Sequence, residues 1–245
     1  MTTSSNAPER SDRDADLTAP LPLGDAKRLA VRAMFDAIAP RYDIVNKLMT
    51  FGLDVRWRKR TISLLDLPAR SLVVDVACGT GDLARLLRSR AHDAVAVDLS
   101  AGMLDHARAG GAPLVLSDAA LLPIRTSSVD GAVSGFALRN FADLATTFSE
   151  LGRIVRSGGR ISLLDVSEPS SALLKAGHRI WFTGVVPRIG ALLSDGAAYS
   201  YLPRSVAYLP SFEEMKAMLA SAGFVGVART ALSGGIVQVI TGSRS

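Results

Sequence analysis

Residues 73–82 read VVDVACGTGD, a short apolar run that leads directly into a turn containing two glycines. The run suits a buried strand, and glycine lets the backbone after it turn tightly and approach a ligand closely. The amides of a helix that follows such a turn face whatever is bound there. We therefore predict a strand, a turn and a helix that form a ligand cradle, with Gly79, Thr80 and Gly81 at the turn.

Short apolar runs alternate with helical segments through the remainder of the chain. The predicted strands are residues 72–77, 94–97, 114–116, 131–134, 161–166, 224–227 and 236–240, and the helices among them are 82–90, 100–109, 143–155 and 211–222. This alternation is typical of a doubly wound α/β fold with a mostly parallel sheet. Glycine-containing turns are predicted at residues 157–159 and 233–235, and the second joins the last two strands in an antiparallel hairpin.

Three helices are predicted before the first strand, at residues 25–39, 44–49 and 55–67. Residues 1–24 contain few large apolar side chains and predict a disordered tail, because they cannot bury enough surface to offset the entropy of ordering. Residues 25–245 are predicted to form a single domain. Within it, residues 170–205 are an unusually long helical insertion interrupted by glycine and proline, which indicates a lid.

The composition is that of a globular domain with 245 residues, of which 48% are hydrophobic and 21% are charged. The net charge of +5 suits an anionic partner or simply a solvated basic surface. A single cysteine excludes an internal disulfide, and residues 1–20 lack the apolar core of a secretion signal, so a cytoplasmic protein is expected. No run of apolar residues is long enough to predict a spanning helix.

Acidic residues follow the predicted strands at the same edge of the sheet as the glycine turn. Asp98 ends the second strand, where its carboxylate can accept hydrogen bonds from both hydroxyls of a ribose. Asp118 and Ala119 follow the third strand and can contact an adenine ring. Asp75 lies inside the first strand, where it can meet the cationic methionine end of S-adenosylmethionine. Asp75 and Asp118 favour this methyl donor as the cofactor.

Other interpretations of the turn remain open. Gly79, Gly81 and Ala84 also fit the permissive fingerprint of dinucleotide-binding proteins, with Asp98 near the distance expected for NAD. The chain would then be an NAD-dependent oxidoreductase. The glycines can also serve only as a tight turn, or the chain can bind a cofactor without catalysing a reaction.

Cys78 and the three histidines do not indicate further chemistry. Cys78 has no histidine close in sequence and occupies the position of a small packing residue. The histidines lack the spacing of metal ligands, so no metal site is predicted.

Several linked motifs extend the pattern beyond the turn. They are Tyr42-Asp43-Ile44-Val45-Asn46, Trp57, Gly79-Thr80-Gly81-Asp82, Leu138-Arg139-Asn140 and Arg153-Ile154-Val155-Arg156-Ser157-Gly158-Gly159-Arg160. On these motifs the sequence resembles the ubiquinone/menaquinone biosynthesis C-methyltransferase family, from about residue 31 to residue 240. The resemblance implies the seven-stranded fold of the class I S-adenosylmethionine-dependent methyltransferases. It also implies methyl transfer to a ring carbon of a lipophilic, polyprenylated hydroquinone, with demethylmenaquinol as the best-suited acceptor and another quinone or phenol as the alternative.

The resemblance also implies roles for individual residues. Thr80, Asp98, Asp118 and Ala119 would contact the cofactor, while Arg139, Asn140 and Tyr42 would act at the acceptor. An acceptor hydroxyl must lose its proton before the ring carbon becomes a competent nucleophile. Arg139 would stabilise the phenolate or polarise the water that takes the proton, Asn140 would orient the ring oxygen, and Tyr42 would close over the site.

The sequence departs from the family pattern at five positions, two of which are Val45 and Thr50 in place of the usual Met and Ser. Asp54 stands where the family usually has a histidine, three residues before Trp57, and Asp165 stands for a glutamate. Gly135 replaces a serine that contacts the cofactor in many members, and Ser134 is adjacent to it. These changes leave the choice of acceptor open.

A polyprenyl acceptor predicts contact with a membrane surface, so the protein is expected in the cytoplasm and at the inner face of the membrane. Residues 56–60, which place four cations around Trp57, and residues 175–193, which mix aromatic and basic side chains, are the candidate surfaces. A solvated helix face and core packing explain the two stretches equally well. Nucleic acid is not an expected partner, because no series of stacking aromatics accompanies the cations. A homo-oligomer is compatible with the sequence.

Overall fold

The computed structural model describes residues 23–167, 169, 205 and 208–245. Helices and strands alternate through most of this part of the chain. The helices are α1 Gly24–Ile38, α2 Tyr42–Thr50, α3 Leu53–Leu65, α4 Asp82–Ser89, α5 Ala101–Ala107, α6 Leu144–Ile154 and α7 Phe212–Ser221. The strands are β1 Leu72–Val76, β2 Asp93–Asp98, β3 Leu114–Leu116, β4 Val129–Gly135, β5 Val155–Val166, β6 Phe224–Leu232 and β7 Val237–Arg244.

The strands form one seven-stranded sheet with the order β3-β2-β1-β4-β5-β7-β6. Strands β1 to β5 are parallel, whereas β7 is antiparallel to both β5 and β6. The predicted doubly wound, mostly parallel sheet with an antiparallel final hairpin is confirmed. Strand order reverses between β1 and β4, and in such sheets ligands bind outside the carboxyl ends of the strands at this reversal.

The centre of the sheet is covered on both faces, which explains why β1 is apolar at every position except Asp75. Val73 and Val74 of β1 point to opposite faces and both are fully buried. Phe148 and Ile154 of α6 are also fully buried. Burial of each such side chain contributes roughly 1.5–3 kcal/mol, so the central strands hold the edge at which they end in a fixed geometry.

Helix α3 places one of the motif residues inside the fold. Trp57 is buried among the side chains of the final strands, and its Nε1 donates a hydrogen bond to Ser233 Oγ at 2.8 Å. Arg58 is buried too, whereas Arg56, Lys59 and Arg60 are exposed. Residues 56–60 therefore do not form the continuous surface that their sequence suggested, because the helix turns two of the five inward.

The predicted turn at residues 157–159 is wrong. Strand β5 begins at Val155, which pairs with Val129, and the register shifts between Val129 and Gly131. Gly158 adopts φ +76° in this irregular part of the strand. The glycines therefore bend a strand that was expected to begin only after them.

The predicted N-terminal helices and the capping-box helix are present, with boundaries within two residues of those expected. Residues 1–22 of the predicted tail and residues 170–204 of the predicted lid lie outside the described residues, so both stay predictions. Among the residues that are described, no helix is long and apolar enough to cross a bilayer.

Candidate functional site

An open cleft of about 780 Å³, including its mouth, lies at the carboxyl ends of the central strands. The cleft adjoins the reversal of strand order, and it is lined from α1, the glycine turn, the ends of β2, β3 and β4, and the segment after β4. Among its lining residues are Arg28, Phe35, Tyr42, Ala77, Gly79, Asp98, Ser117, Asp118, Ala119, Gly135, Phe136, Asn140 and Phe141.

The glycine turn forms one wall of this cleft through its backbone. Gly79 has φ +56°, a conformation that L side chains rarely adopt, and a Cβ added there would meet no atom within 4 Å. Gly81 has φ +84° and caps the amino end of α4. The turn therefore presents bare backbone to the cleft, as close contact with a ligand requires.

Asp98 connects the turn to the start of α5. Its Oδ2 accepts a hydrogen bond from the Gly79 amide at 2.8 Å, and its Oδ1 accepts one from the Ser100 amide at 2.8 Å. Burial raises the pKa of Asp98, and these two backbone hydrogen bonds oppose the shift. Each carboxylate oxygen keeps a second lone pair, so the side chain can still accept hydrogen bonds from a vicinal diol in the cleft.

Asp75 lies behind the turn, outside the lining of the cleft. Its Oδ2 accepts a hydrogen bond from the Ala84 amide in the first turn of α4 at 2.9 Å. Its Oδ1 is buried and has no hydrogen-bond partner among the described residues. Burial raises the pKa of Asp75 to about 8.

The turn and strand residues Thr80, Gly81 and Ser134 also lie outside the lining, and their predicted contact with a cofactor stays a prediction. Thr80 Oγ1 donates to Asp43 Oδ1 at 2.6 Å, which ties α2 to the turn. Ser134 Oγ donates to the Val76 carbonyl at 2.7 Å, which ties β4 to β1. These two hydrogen bonds therefore hold the elements that surround the cleft in place.

Asp118 and Ala119 line the cleft at the end of β3, as expected of them. Asp118 Oδ1 accepts the Ala120 amide at 2.9 Å, and Asp118 Oδ2 lies 3.8 Å from Arg28 Nε. Because Ala119 is apolar and buried, this part of the wall suits a flat ring with a polar edge.

Helix α1 contributes a wall that sequence reasoning missed. Arg28, Arg32 and Phe35 line the cleft from this helix. Lys27 Nζ donates to the Phe141 carbonyl at 2.7 Å, and Asp36 Oδ1 accepts the Gly102 amide at 3.0 Å. The sequence did contain a signal for this wall. Lys27, Arg28 and Arg32 lie beside the apolar positions of α1, and the apolar pattern alone predicts only the helix.

The segment after β4 forms the opposite wall. Tyr42 and Asn140 both line the cleft, so the structure brings together two of the three predicted catalytic residues. Asn140 Nδ2 donates to the Phe136 carbonyl at 3.4 Å, whereas Asn140 Oδ1 is buried and accepts no hydrogen bond from the described residues. Burial raises the pKa of the Tyr42 phenol, and the positive charges of Arg58 and Arg139 oppose the shift.

Arg139, the third predicted catalytic residue, is not among the lining residues. Its guanidinium forms a buried ion pair with Asp165, and its Nε donates to Ser205 Oγ at 3.2 Å. The Arg139 amide also donates to Asp165 Oδ2 at 3.3 Å. Asp165, one of the departures from the family pattern, therefore holds both the backbone and the side chain of the residue next to Asn140.

Asp54, the other acidic departure, is buried in a polar network. It accepts hydrogen bonds from Thr50 Oγ1 at 2.9 Å and from Arg58, which also lies 3.2 Å from Asp82. Arg58 thus joins α3 to the start of α4 and faces Tyr42 with its charge. Thr50, Asp54 and Arg58 are spaced four residues apart, but Asp82 lies 24 residues beyond Arg58 on another helix, so local sequence does not show the whole network.

Cys78 packs against the buried cluster around Leu83, and burial raises the pKa of its thiol far above the usual range. A neutral thiol is a poor nucleophile, so the expected packing role is consistent with its surroundings. Within the described residues, no cluster of His, Cys, Asp and Glu side chains is arranged to hold a metal ion.

Comparison with known proteins places this fold and cleft in a family. The model of the ubiE/COQ5 methyltransferase family matches residues 23–244. A demethylmenaquinone methyltransferase of Deinococcus radiodurans is 42% identical over 83% of this chain and 89% of its own length. A ubiquinone/menaquinone biosynthesis C-methyltransferase of Syntrophotalea carbinolica is 39% identical over 87% of this chain and 94% of its own length.

Solved structures share the fold at lower sequence identity. An S-adenosylmethionine-dependent methyltransferase of Thermotoga maritima has a TM-score of 0.64 and 18% identity, over 88% of this chain and 100% of that one. A Haemonchus contortus phosphoethanolamine N-methyltransferase in complex with S-adenosyl-L-methionine has a TM-score of 0.57 and 13% identity, over 76% of this chain and 52% of that one. The predicted fold class and cofactor are confirmed, and the oxidoreductase alternative is not favoured. The chain belongs to the ubiE/COQ5 methyltransferase family.

Proposed function

We propose that this protein transfers a methyl group from S-adenosylmethionine to a ring carbon of demethylmenaquinol, which yields menaquinol. Relatives at 39% and 42% identity are named demethylmenaquinone methyltransferases, and they cover most of this chain. The cleft supports the proposal with two chemically different walls. One is backbone and carboxylate, at the glycine turn and Asp98, and the other is aromatic and amide, at Phe136, Asn140 and Phe141.

The residues of the first wall fit the cofactor. Gly79 offers backbone without a side chain, and Asp98 has lone pairs for the ribose hydroxyls. Asp118 and Ala119 provide a polar edge and an apolar face for the adenine. The cofactor supplies an electrophilic methyl group on a sulfonium. Asp75 acts through the turn, because its carboxyl group fixes the first turn of α4.

Asn140 Oδ1 is the observation that carries the assignment of the acceptor. A buried acceptor without a partner costs about 1–3 kcal/mol, so the wall is built for a ligand that donates a hydrogen bond. Asn140 Oδ1 has no hydrogen-bond partner among the described residues. A ring hydroxyl of a hydroquinone is such a donor, whereas an oxidised quinone offers only acceptors. Asn140 would therefore select the reduced acceptor and orient its ring.

The proton chemistry falls to the groups around Asn140. A hydroxyl of the acceptor gives its proton to water so that the ring carbon can attack the methyl group, whose bond to sulfur breaks. The ring C–H proton then leaves to water and the phenolate is reprotonated, so one proton is released for each methyl group transferred. Arg139 does not line the cleft, so it would stabilise the developing phenolate only through its charge, from its fixed position on Asp165, while Tyr42 in the lining would close over the site. Because Asp165 already neutralises much of the charge of Arg139, we expect this contribution to be moderate.

Methyl transfer from a labelled donor tests the proposal. Purified protein is incubated with donor and demethylmenaquinol in detergent, and the lipid extract is analysed for label. We expect label in menaquinol, and we expect Asn140→Ala to lower turnover by about a hundredfold. Asn46→Ala, on the outer network around Asp54, is the matched control and should retain most activity. Label only in soluble phenols would reject the lipid quinol as acceptor and favour the alternative of another phenol.

We also propose that a lipophilic acceptor brings the enzyme to a membrane surface. The expected cytoplasmic location at the inner face of the membrane and any homo-oligomer stay predictions.

A further inference from the structure

Helix α5 begins beside the cleft, and its first amides are held by three different side chains. The Ser100 amide donates to Asp98 Oδ1 at 2.8 Å, and the Met103 amide donates to Ser100 Oγ at 3.0 Å. The Gly102 amide donates at 3.0 Å to Asp36 Oδ1, which belongs to α1. The first amides of a helix have no partners within it, so other groups must supply their acceptors. Asp36 therefore supplies part of the cap of α5 from outside that helix.

Asp36 holds the Ser100 side chain as well as a helix amide. Ser100 Oγ donates to Asp36 Oδ1 at 2.5 Å, so one carboxylate oxygen accepts from both residues of α5 and its cap. The two helices approach closely here, because a Cβ added to Gly102 would lie 3.3 Å from both the carbonyl oxygen and Oδ1 of Asp36. The other carboxylate oxygen lies 3.8 Å from Arg32 Nε, one turn earlier in α1. The Asp36 carboxylate is thus fixed where α1 and α5 meet.

These contacts form a continuous chain of hydrogen bonds from α1 to the glycine turn. Asp36 holds the Ser100 hydroxyl, and the Ser100 amide holds one carboxylate oxygen of Asp98. The Gly79 amide holds the other oxygen of Asp98 at 2.8 Å. The orientation of the Asp98 carboxylate therefore depends on two amides, one in the glycine turn and one that α1 helps to place.

We propose that Asp36 is a positioning residue for the cofactor, which holds Ser100 and thereby keeps the carboxylate of Asp98 aligned with the two ribose hydroxyls. Ser100 and Asp98 line the cleft but Asp36 does not, so Asp36 acts through Ser100. Alignment matters because a hydrogen bond weakens steeply as its angle departs from linearity. The inference rests on the assignment of Asp98 to the ribose in the proposed function.

Calorimetric titration with S-adenosylhomocysteine and with its 2′-deoxy and 3′-deoxy analogues tests the proposal without any acceptor. In the unmodified protein, removal of a hydroxyl that donates to the Asp98 carboxylate should weaken binding by about tenfold to a hundredfold. We expect Asp36→Ala to bind S-adenosylhomocysteine about tenfold more weakly and to discriminate against the deoxy analogues by less than about threefold. A merely structural effect of the substitution would weaken the binding of all three ligands by the same factor.

Two further variants separate hydrogen bonding from charge and from the loss of any carboxylate. Asp36→Asn keeps an oxygen acceptor in place of Oδ1, so it should bind S-adenosylhomocysteine within about threefold of the unmodified protein. Asp105→Ala, which removes an exposed carboxylate from α5, is the matched control and should keep both the affinity and the discrimination. The melting temperature of each ligand-free variant verifies that it is folded at the temperature of the titration.

Equal discrimination by Asp36→Ala and the unmodified protein would overturn the proposal, whatever their affinities for S-adenosylhomocysteine. Failure of Asp36→Asn to recover the affinity would also overturn it, since the charge of Asp36 and not its hydrogen bonds would then be responsible. If the unmodified protein itself does not discriminate, the assignment of Asp98 to the ribose fails together with the inference. Methyl transfer to demethylmenaquinol is measured separately, so a failure of the inference is distinguishable from a failure of the proposed reaction.

Discussion

Single carboxyl groups determine much of the behaviour of the cleft. Asp75, Asp98 and Asp165 are all buried, and each is held by backbone amides. The sequence predicted that Asp98 would face the cofactor, and the structure places it in the cleft. The sequence could not predict that Asp165 pairs with Arg139, because the two residues meet only when β5 lies beside β4. An ion pair between a strand and a segment that is distant from it in sequence has no local signal.

The raised pKa of Asp75 predicts a pH dependence of stability. In the unfolded chain its pKa returns to about 3.8, whereas in the fold it is about 8, so the folded state binds the extra proton between these values. Stability from this group is therefore present at low pH and is lost as the pH rises from about 4 to about 8. We expect the melting temperature of the ligand-free protein to fall between about pH 4 and pH 8, and to fall less in Asp75→Asn.

Asp93→Asn is the control for this pH dependence, since that side chain is exposed at the start of β2. Its melting profile should follow that of the unmodified protein. Parallel profiles for the unmodified protein and Asp75→Asn would show that Asp75 is charged in the folded state.

Helix boundaries were the element-scale features that local sequence predicted best. Ser211 and Glu214 form the expected capping box, in which each side chain meets the backbone amide of the other. The walls of the cleft were harder to predict. The apolar pattern of α1 indicated a helix, but whether Arg28 and Phe35 face a ligand depends on how α1 packs across α5, and this is a property of the tertiary structure.

The capping box predicts the energetics of α7. In Ser211→Ala the Glu214 amide loses its acceptor at the first turn, so we expect the free energy of unfolding to fall by about 1 kcal/mol. Ser149→Ala, inside α6 and exposed, should change it by less than about 0.5 kcal/mol, since alanine favours a helix interior. Urea unfolding of both variants measures the difference, and an equal effect of the two would argue against the cap.

At the scale of the whole molecule, the order of helical and apolar segments predicted the sheet well. Parallel strands that are covered on both faces leave a clear signal of short, mainly apolar runs, such as Leu72–Val76 in β1. The irregular first half of β5 was not predictable in the same way. From the local sequence alone, its glycines predict a turn. Only the pairing with β4 makes them part of a strand.

Ligand binding to the whole domain separates the cofactor hypotheses. We expect S-adenosylhomocysteine at about a hundredfold over its Kd to stabilise the fold by about 2.7 kcal/mol, or roughly 5–10 °C in Tm, and NAD to have no effect. Asp98→Ala should abolish the shift relative to its own melting temperature, because it removes both the brace of Gly79 and the acceptors in the cleft. Asp105→Ala, exposed on α5, should keep it. Stabilisation by NAD alone would favour the oxidoreductase.

The position of β7 between β5 and β6 has a consequence for how the chain is synthesised. Strand β6 leaves the ribosome first, but it pairs only with β7 and not with β5. Without β7, β5 is an open edge and β6 has no place in the sheet, so a chain that lacks β7 exposes two strands at once. We expect chains truncated between residues 233 and 236 to bind chaperones more strongly than the full chain.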